Sequence, residues 1–350
     1  MREQNPPSNS SLPRPARVKI CALRVSLMAL PVLCGLVACG GSADSSQVQG
    51  GAGFNPGITA GGNGSIDPGP GANAGTANAN GGAGSMSSGV YMLPEGFTPA
   101  TLGGFKLGAP VDASMTGAAG ASSAPPAGGC GTQILGVVRD FKGNNEPGGH
   151  PDFEHFSGSG PSPGIVTAAL GSDQKPVYAA TGAFMDPVNG QQTTSKMLFD
   201  EWYRATPNVN KPYIVYLYFQ PNGNVLTFQS TAFFPLDGKG WGNTPGQNHN
   251  FGFTTEVHTK FTYKGNETFK FTGDDDLWVF INNKLAIDLG GLHSKATKTV
   301  DLTTLGLTVG ETYNLDLFHA ERHTSASNFS VDTNLEFTNC GTVIAEPQPK

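Results

Sequence analysis

The sequence is poor in charged residues and contains no long apolar segment. Asp, Glu, Lys and Arg account for 14% of the chain, whereas an average soluble domain has about 25%. The longest apolar run, residues 25–38, has 14 residues, and a helix that spans a bilayer needs about 20. Gly and Pro instead fill 75 of the 350 positions. These features argue against a long helix, a coiled coil or a transmembrane protein and favour strands, turns and linkers.

The first 38 residues are typical of an export signal. Four basic residues between positions 14 and 24 precede the apolar run, which ends in LVAC at residues 36–39. A basic leader followed by an apolar stretch of this length is the pattern of a signal peptide. The LVAC sequence resembles the bacterial lipobox, which predicts lipidation of Cys39 and stable anchoring through the lipid. Ordinary cleavage after Ala38, with Cys39 incidental, is the alternative.

Removal of the signal peptide makes the mature chain more acidic. Residues 1–38 hold five of the 21 Lys and Arg and one of the 27 Asp and Glu. The 16 cations and 26 anions that remain give a net charge of −10. This balance disfavours nucleic acid as a partner. We therefore expect contact with a membrane through the lipid anchor only.

Residues 39–87 predict a flexible linker. Gly, Ala, Ser and Asn dominate them, and residues 40–129 contain only five charged side chains. A chain of this composition behaves as a random coil, with a reach on the order of 40 Å at this length. Residues 88–129 are also of low complexity but include more apolar residues, around Tyr91 and Phe105. They predict either a docking segment or a continuation of the linker.

Organised sequence begins at Cys130 and ends at Cys340. No other cysteine lies among the 209 residues between them. In an exported protein such a pair predicts a disulfide. It would tie together the first and last strands of one domain, residues 130–340, and leave residues 341–350 as a tail. The chain-entropy model assigns roughly 5 kcal/mol of stabilisation to a loop of this size.

Short runs of β-branched and aromatic residues fill this domain. Asn222-Gly223 and Asn282-Asn283 separate such runs and predict two β-hairpins. The pattern predicts strands at residues 214–219, 225–229, 261–271, 277–281, 285–287, 313–317 and 329–335, and one short helix at residues 197–203. Many short strands with turns between them predict an all-β fold, an antiparallel β-sandwich of jelly-roll type with few short helices.

Three consecutive carboxylates, Asp274, Asp275 and Asp276, stand directly before the apolar run 277–281. Neighbouring carboxylates repel each other by about 1 kcal/mol per pair at 4 Å in water, and by more when they lose solvent. The triplet therefore predicts either a solvated acidic turn or a bound cation. Ca²⁺ suits these hard oxygens but takes 6–8 of them, so backbone carbonyls and a second loop would have to contribute.

Other polar and aromatic residues give weaker indications. His319, Glu321 and His323 share one face of an extended strand. This arrangement allows a zinc site, but a structural polar cluster is the favoured interpretation. Trp241 and Trp278 are candidates for stacking on sugar rings, with burial in the core as the commoner alternative for aromatic side chains. The sequence contains no serine elbow, P-loop or dinucleotide fingerprint. We therefore expect no catalytic residues.

Seven segments of this region resemble the fibro-slime domain family. They are GVVRDF at 136–141, HPDFE at 150–154, FDEWY at 199–203, FFPLD at 233–237, FTGDDDLWVFIN at 271–282, DLGGLH at 288–293 and FHAERH at 318–323. They occur in order and at family-like spacing between about residues 131 and 337. The resemblance covers some 60% of the chain and none of the linker.

The fibro-slime family is similar to the anthrax protective-antigen-type domain, a β-sandwich that also occurs in yeast flocculins and some glycosidases. In its lectin members an Asp–Asp pair joined by a cis peptide binds Ca²⁺, which in turn coordinates sugar hydroxyls. The resemblance implies that Asp274 and Asp275 are this pair. Asp276 is then either a third ligand, or the alignment with the family is shifted by one residue. Asp288 is a weak candidate for a further contact.

Together these features predict an exported lipoprotein at the outer membrane or cell surface. Its domain would bind calcium and, through it, polysaccharide or cell-surface glycans in adhesion. A structural matrix or envelope protein without sugar binding is the alternative. A hydrolase is the weakest prediction, because related sandwiches occur in glycosidases as accessory modules and no separate catalytic domain fits in the chain.

Overall fold

The structure is a computed structural model and describes Met1, residues 104–111 and residues 132–344. Backbone contacts divide the chain into Met1–Ala77 and Asn78–Lys350, and the fold below belongs to the second unit. The predicted signal peptide, Cys39, residues 39–87 and Cys130 lie outside the described residues. Within the part that is described, no helix is long and apolar enough to cross a membrane.

The described residues form an all-β structure with almost no helix. The strands are β1 Gly104–Pro110, β2 Gln133–Phe141, β3 Met185–Asp186, β4 Gly190–Gln191, β5 Asn210–Tyr218, β6 Gln220–Asn222, β7 Val225–Ser230, β8 Phe253–Thr262, β9 Thr268–Gly273, β10 Asp276–Ile281, β11 Lys284–Leu289, β12 Ala296–Asp301, β13 Thr312–Glu321, β14 Phe329–Thr333 and β15 Phe337–Asn339. One α-helix, α1 Lys196–Asp200, and one 3₁₀ helix, Leu302–Leu305, complete it. The Ser195 hydroxyl caps α1 by accepting from the Leu198 amide, and the helix ends earlier than predicted.

Two antiparallel sheets pack into a sandwich. The first has eight strands in the order β1-β5-β2-β8-β13-β10-β11, with β15 also paired to β8. The second has five strands in the order β12-β9-β14-β7-β6, and β3 and β4 form a separate two-stranded ribbon. The predicted β-sandwich is confirmed.

Strand β10 is apolar at nearly every position because it is buried on both faces. Side chains alternate across a strand, so Leu277, Val279 and Ile281 pack into the main core between the sheets. Trp278 and Phe280 point the opposite way, into a second core on the outer face of the eight-stranded sheet. This double burial explains why the Asp triplet is followed by an uninterrupted apolar run.

Residues 142–209 cover that outer face and build the second core. The layer contributes large side chains that pack against Trp278 and Phe318; they are Phe153, Phe199, Trp202 and Tyr203, all fully buried. Trp278 is therefore fully buried as well. A ring enclosed between two layers cannot stack on a sugar, so the carbohydrate-binding role predicted for Trp278 is wrong.

The two predicted hairpins have different outcomes. Asn282 and Asn283 both adopt positive φ, 52° and 62°, and turn β10 into β11 as predicted. At Asn222-Gly223 the turn is also present, but only the three residues of β6 pair with β7. The preceding strand β5 belongs to the other sheet, so the chain changes sheets at residue 219. The predicted strand 261–271 likewise divides near Gly265 (φ 108°) into β8 and β9.

Both ends of the described region are packed onto the domain. Strand β1 pairs with β5 at the edge of the eight-stranded sheet, and its Phe105 ring lies 5.1 Å from that of Phe233. Beyond β15, Cys340 is disulfide-bonded, while the pairing with Cys130 stays a prediction because Cys130 is outside the described residues. Val343 is 5% exposed and belongs to a small core with Ile214, so packing continues past residue 340.

Candidate functional site

Three strand connections at one end of the sandwich surround a cavity of about 320 Å³. The β9–β10 connection contributes Asp274 and Asp275, the β11–β12 connection residues 292–294, and the β13–β14 connection residues 323–326. Residues 157–158, from the layer on the outer face of the sheet, supply a further wall. Small-ligand pockets have volumes of about 300–1,000 Å³, so this cavity is a candidate ligand site.

The two carboxylates in the cavity are held by amide donors. The Asp274 side chain accepts from the backbone and side-chain amides of Asn328, at 2.6 and 2.7 Å. Asp275 Oδ2 accepts from the Arg322 backbone amide at 3.0 Å. The peptide bond between the two Asp residues is cis. With exposed fractions of 5% and 7%, both side chains lie at the cavity largely screened from bulk water.

Asp276 has a structural role instead. Its Oδ2 accepts from Arg322 Nε at 2.5 Å and its Oδ1 from the Gly291 amide at 2.6 Å. Both members of this ion pair are fully buried, and the Arg322 guanidinium also lies 4.6 Å from the centroid of the Trp202 ring. Asp276 does not line the cavity. The role predicted for it as a metal ligand is therefore corrected to that of the partner of Arg322.

The site carries an excess of negative charge. Burial raises the pKa of Asp275 to about 7, with a further rise from Asp276 and an opposing effect of the Arg322 guanidinium. Burial also raises the pKa of Asp274, while its hydrogen bonds from Asn328 lower it. Both directions mean that ionisation of the pair is unfavourable without an additional positive charge.

A third acidic side chain lies behind the pair. Glu321 is fully buried, and among the described residues neither of its carboxyl oxygens has a hydrogen-bond partner. Burial raises the pKa of Glu321 well above its usual range and Asp275 raises it further, with the nearby Ser327 opposing. Two residues earlier, His319 Nε2 donates to the Asp274 carbonyl oxygen at 2.8 Å, and burial lowers the pKa of His319 to about 4. A neutral histidine thus supports the backbone of the Asp pair.

The oxygens around the cavity suit a hard divalent cation. Beside the two carboxylates, Ser294, Thr324 and Ser325 line the cavity and carry hydroxyl and carbonyl oxygens, the kinds of ligand that Ca²⁺ takes. Across the described residues, no three His, Cys, Asp or Glu side chains are grouped so as to hold a metal ion. A cation at this place would therefore need hydroxyl or carbonyl ligands, and His319, Glu321 and His323 do not form a zinc site.

The other predicted sugar contacts lie away from the cavity. Trp241 is partly buried, and Lys211 Nζ lies over its ring at 4.4 Å from the centroid. Asp288 accepts from Trp278 Nε1 at 3.0 Å and from the Gly164 amide at 2.9 Å. Its carboxylate thus fastens β11 to the outer layer. Neither Trp241 nor Asp288 lines the cavity.

For three residues that organise the site, the sequence does not reveal which residue each one contacts. Arg322 lies in the FHAERH segment, but a strand pattern does not reveal that its side chain pairs with Asp276. Glu154 Oε1 accepts from the Thr324 amide at 3.0 Å, and Gln192 Oε1 accepts from the Leu292 amide at 2.9 Å. These partners are 170 and 100 residues apart in the chain, so no local spacing connects them.

The chain is similar to several proteins of Dictyostelium discoideum. It is 39% identical to protein psiQ over 207 residues, which cover 55% of this chain and 20% of psiQ. It is 41% identical to protein psiD over 183 residues, which cover 50% of this chain and 36% of psiD. The chain thus spans between a fifth and about two fifths of the length of these relatives.

The solved structure of one enzyme resembles part of this chain only weakly. A β-glucosidase from Kluyveromyces marxianus in complex with glucose matches 51% of this chain and 19% of its own, with 14% identity and a TM-score of 0.22, too low to carry weight. Among protein families, the PA14 domain matches residues 217–349. Residues 217–349 are thus similar to the PA14 domain, and about half of the chain is similar to the psi proteins.

Proposed function

We propose that this protein binds a neutral saccharide through a calcium ion held at Asp274 and Asp275. The observation that carries the proposal is a pair of adjacent carboxylates, almost fully buried, that line one cavity and accept hydrogen bonds from amide groups. The PA14 match to residues 217–349 supports it, and so does the resemblance to the protective-antigen-type domain, whose lectin members use an Asp–Asp pair to hold Ca²⁺.

Different residues at this site would bind the ion and orient its carboxylate ligands. Asp274 and Asp275, with oxygens of Ser294, Thr324 and Ser325, would hold the ion. Bound calcium supplies a positive centre for the hydroxyl groups of a sugar. The amides of Asn328 and Arg322 fix the two carboxylates. Their orientation is therefore set before the ligand arrives, which reduces the entropy lost on binding.

The lining of the cavity favours an uncharged ligand. Its described residues include no Lys or Arg, and they offer hydroxyl groups from Ser157, Ser294, Thr324 and Ser325. An anionic sugar would meet two carboxylates, and among the lining residues only the imidazoles of His293 and His323 could offset that repulsion. A neutral, hydroxyl-rich saccharide matches the available hydrogen-bonding groups, which makes it the ligand class that we propose.

The proposal extends to the cellular setting. The lipobox-like LVAC sequence and the linker after it support a lipoprotein that displays the domain at the outer membrane or cell surface, where glycan binding would serve adhesion. The seven segments between residues 136 and 323 support a fibro-slime type of domain. We propose no catalytic role, and turnover of a polysaccharide by the purified protein would contradict this.

Calcium titration calorimetry tests the metal site. We expect the wild-type protein to bind Ca²⁺ and the Asp274→Asn and Asp275→Asn variants to lose at least tenfold in affinity, because each removes one anionic ligand. Asp332→Asn is the matched control, since Asp332 forms a surface ion pair with Lys270. Equal calcium binding by all four proteins, or none by the wild type, would contradict the proposal.

A glycan array probed with and without EDTA tests the ligand. We expect binding to neutral saccharides that EDTA abolishes and that Asp275→Asn lacks. If calcium binds but no glycan does, the alternative of a structural matrix or envelope protein is favoured. Binding confined to acidic glycans would contradict the ligand class.

A further inference from the structure

The cavity is not built by the PA14 match alone. The match begins at residue 217, but Ser157 and Gly158 line the cavity from the layer 142–209. Gly158 is in close contact with the β11–β12 connection, since a Cβ atom at this position would lie 2.0 Å from the Leu292 carbonyl oxygen. Residues 157–158 therefore pack directly against the β11–β12 connection, which is another segment of the cavity.

Gln192 connects three of the four segments that surround the cavity. It is fully buried. Its Oε1 accepts from the Leu292 amide at 2.9 Å, and its Nε2 donates to the Ser157 carbonyl oxygen at 3.2 Å. Its own carbonyl oxygen accepts from Arg322 Nη1 at 3.0 Å. The backbone amide of that same arginine donates to Asp275, so Gln192 is two contacts away from the Asp pair.

Glu154 fixes the β13–β14 connection in a similar way. Its backbone amide donates to the Arg322 carbonyl oxygen at 2.7 Å, and its Oε1 accepts from the Thr324 amide at 3.0 Å. Glu154 itself adopts a left-handed backbone conformation, φ 51°, which is uncommon for a residue other than glycine. The layer 142–209 therefore holds two of the three cavity connections by hydrogen bonds to their backbone.

We propose that the layer 142–209 is a working part of the ligand site and sets which saccharide the cavity accepts. Ser157 and Gly158 form a specificity-determining wall, and Gln192 is a positioning residue that fixes this wall against residues 292–294 and 322. The inference rests on the proposed function for the nature of the ligand. The proposed function concerns the calcium ligands, whereas this inference assigns ligand selectivity to residues outside the PA14 match.

The test uses two variants of the purified protein and one control. Ser157→Leu adds bulk to an exposed cavity residue, and Gln192→Met keeps the length of the side chain but removes its amide. The control is Val188→Ser, which changes a side chain of the same layer that is 84% exposed and does not line the cavity. Each protein is assayed for Ca²⁺ affinity by calorimetry and for binding to the neutral glycan that the wild type prefers.

We expect both variants to bind the preferred glycan at least tenfold more weakly, with a changed order of glycans on the array. Ser157→Leu should keep Ca²⁺ affinity within about twofold of the wild type, and Gln192→Met, which loosens the segment of Ser294, should lose less Ca²⁺ affinity than glycan affinity. Val188→Ser should match the wild type in both assays. A general loss of structure would lower both affinities together, so the split between them distinguishes positioning from folding. Gln192→Met should also speed hydrogen exchange at residues 292–294 and 323–325.

The outcomes separate this inference from the proposed function. If Ser157→Leu and Gln192→Met leave glycan affinity and order unchanged while Asp275→Asn abolishes binding, the inference is wrong and the calcium site stands. If Asp275→Asn has no effect, or the wild type binds no glycan, the proposed function fails and the inference fails with it. Should Gln192→Met not fold, Ser157→Leu decides the matter alone.

Discussion

At the scale of single residues, a cluster of buried charged side chains in the core is centred on Glu256. This carboxylate is 2% exposed and accepts from Arg139 Nη1 at 2.6 Å, from Lys175 Nζ and from His258 Nε2 at 2.5 Å. His258 Nδ1 contacts Asp316 Oδ1 at 2.7 Å. Both ring nitrogens therefore face carboxylates, and only the protonated imidazole can donate to both.

The stability of the domain should depend on the charge of His258. Burial lowers the pKa of His258, but the hydrogen bonds to Asp316 and Glu256 outweigh it and raise the pKa above 6.5. A raised folded-state pKa contributes stability that is fully present below the unfolded-state value, about 6.5, and is lost as the pH rises through the folded-state value. We predict that the urea midpoint falls above neutral pH in the wild type.

A His258→Gln variant provides the comparison. We expect it to be less stable than the wild type at pH 6 and to differ less from it at pH 9, measured by urea unfolding at both values. His155→Gln, at an exposed histidine, should keep the pH dependence of the wild type. An equal loss at both pH values would contradict a charged His258.

Trp278 offers a second prediction at this scale, because its role changed from sugar contact to core. The ring is fully buried and its Nε1 donates to Asp288 at 3.0 Å. Replacing a buried tryptophan with alanine costs about 3–5 kcal/mol. We expect Trp278→Ala to lose stability of this order in denaturant unfolding, whereas Val309→Ser, at a 64% exposed side chain, should change it by less than about 0.5 kcal/mol.

At the scale of elements, strand β1 is a strand that the amino-acid composition of its segment does not indicate. The segment Gly104–Pro110 follows a low-complexity stretch, yet it adds an edge strand to β5. Its Gly108 lies so close to β5 that a Cβ would be 3.0 Å from the Ile214 side chain. Phe105 and Leu107 alternate along the strand and both pack against the main core, whereas the sequence predicted only a docking segment or a continuation of the linker.

We predict that Phe105→Ala destabilises the domain by about 1–2 kcal/mol. Truncating a fully buried Phe loses about 1.5–3 kcal/mol of burial free energy and an additional contribution from the cavity it leaves. The Phe105 ring is only partly buried, so the loss of stability should be smaller. Denaturant unfolding of the variant and the wild type measures it. No change in the midpoint would mean that β1 contributes little to the stability of the sandwich.

The elements that the sequence predicted are those whose signals are local. The β10–β11 hairpin was predicted because Asn282-Asn283 supplies the two positive φ angles within the turn itself. The change of sheet between β5 and β6 was missed, since a continuous apolar run does not tell which sheet each half joins. The pair Asp274 and Asp275 came from the family resemblance. The contacts of Gln192 with Ser157, Leu292 and Arg322 join residues 35, 100 and 130 positions apart, so no local pattern reveals them.

At the scale of the whole molecule, the first prediction concerns anchoring. If Cys39 is lipidated, the protein should partition with the membrane fraction of its producing cell, and Cys39→Ser should move it to the soluble exported fraction. Cys34→Ser is the matched control, because Leu33 before it does not fit a lipobox. Membrane association that survives Cys39→Ser would contradict a lipid anchor at this residue.

The second prediction for the whole molecule concerns a disulfide between Cys130 and Cys340. Strand β15 and the residues after it pack on β8 and β2, so a bond from Cys340 to Cys130 would join the start of β2 to the end of the fold. In the chain-entropy model, closing a loop of this size removes roughly 5 kcal/mol of unfolded-state freedom. We expect non-reducing peptide mapping to find the cross-linked pair, and Cys130→Ser/Cys340→Ser to unfold at clearly lower urea. A Cys130 thiol that is alkylated without reduction would contradict the pairing, because the loop would then be open in the folded protein.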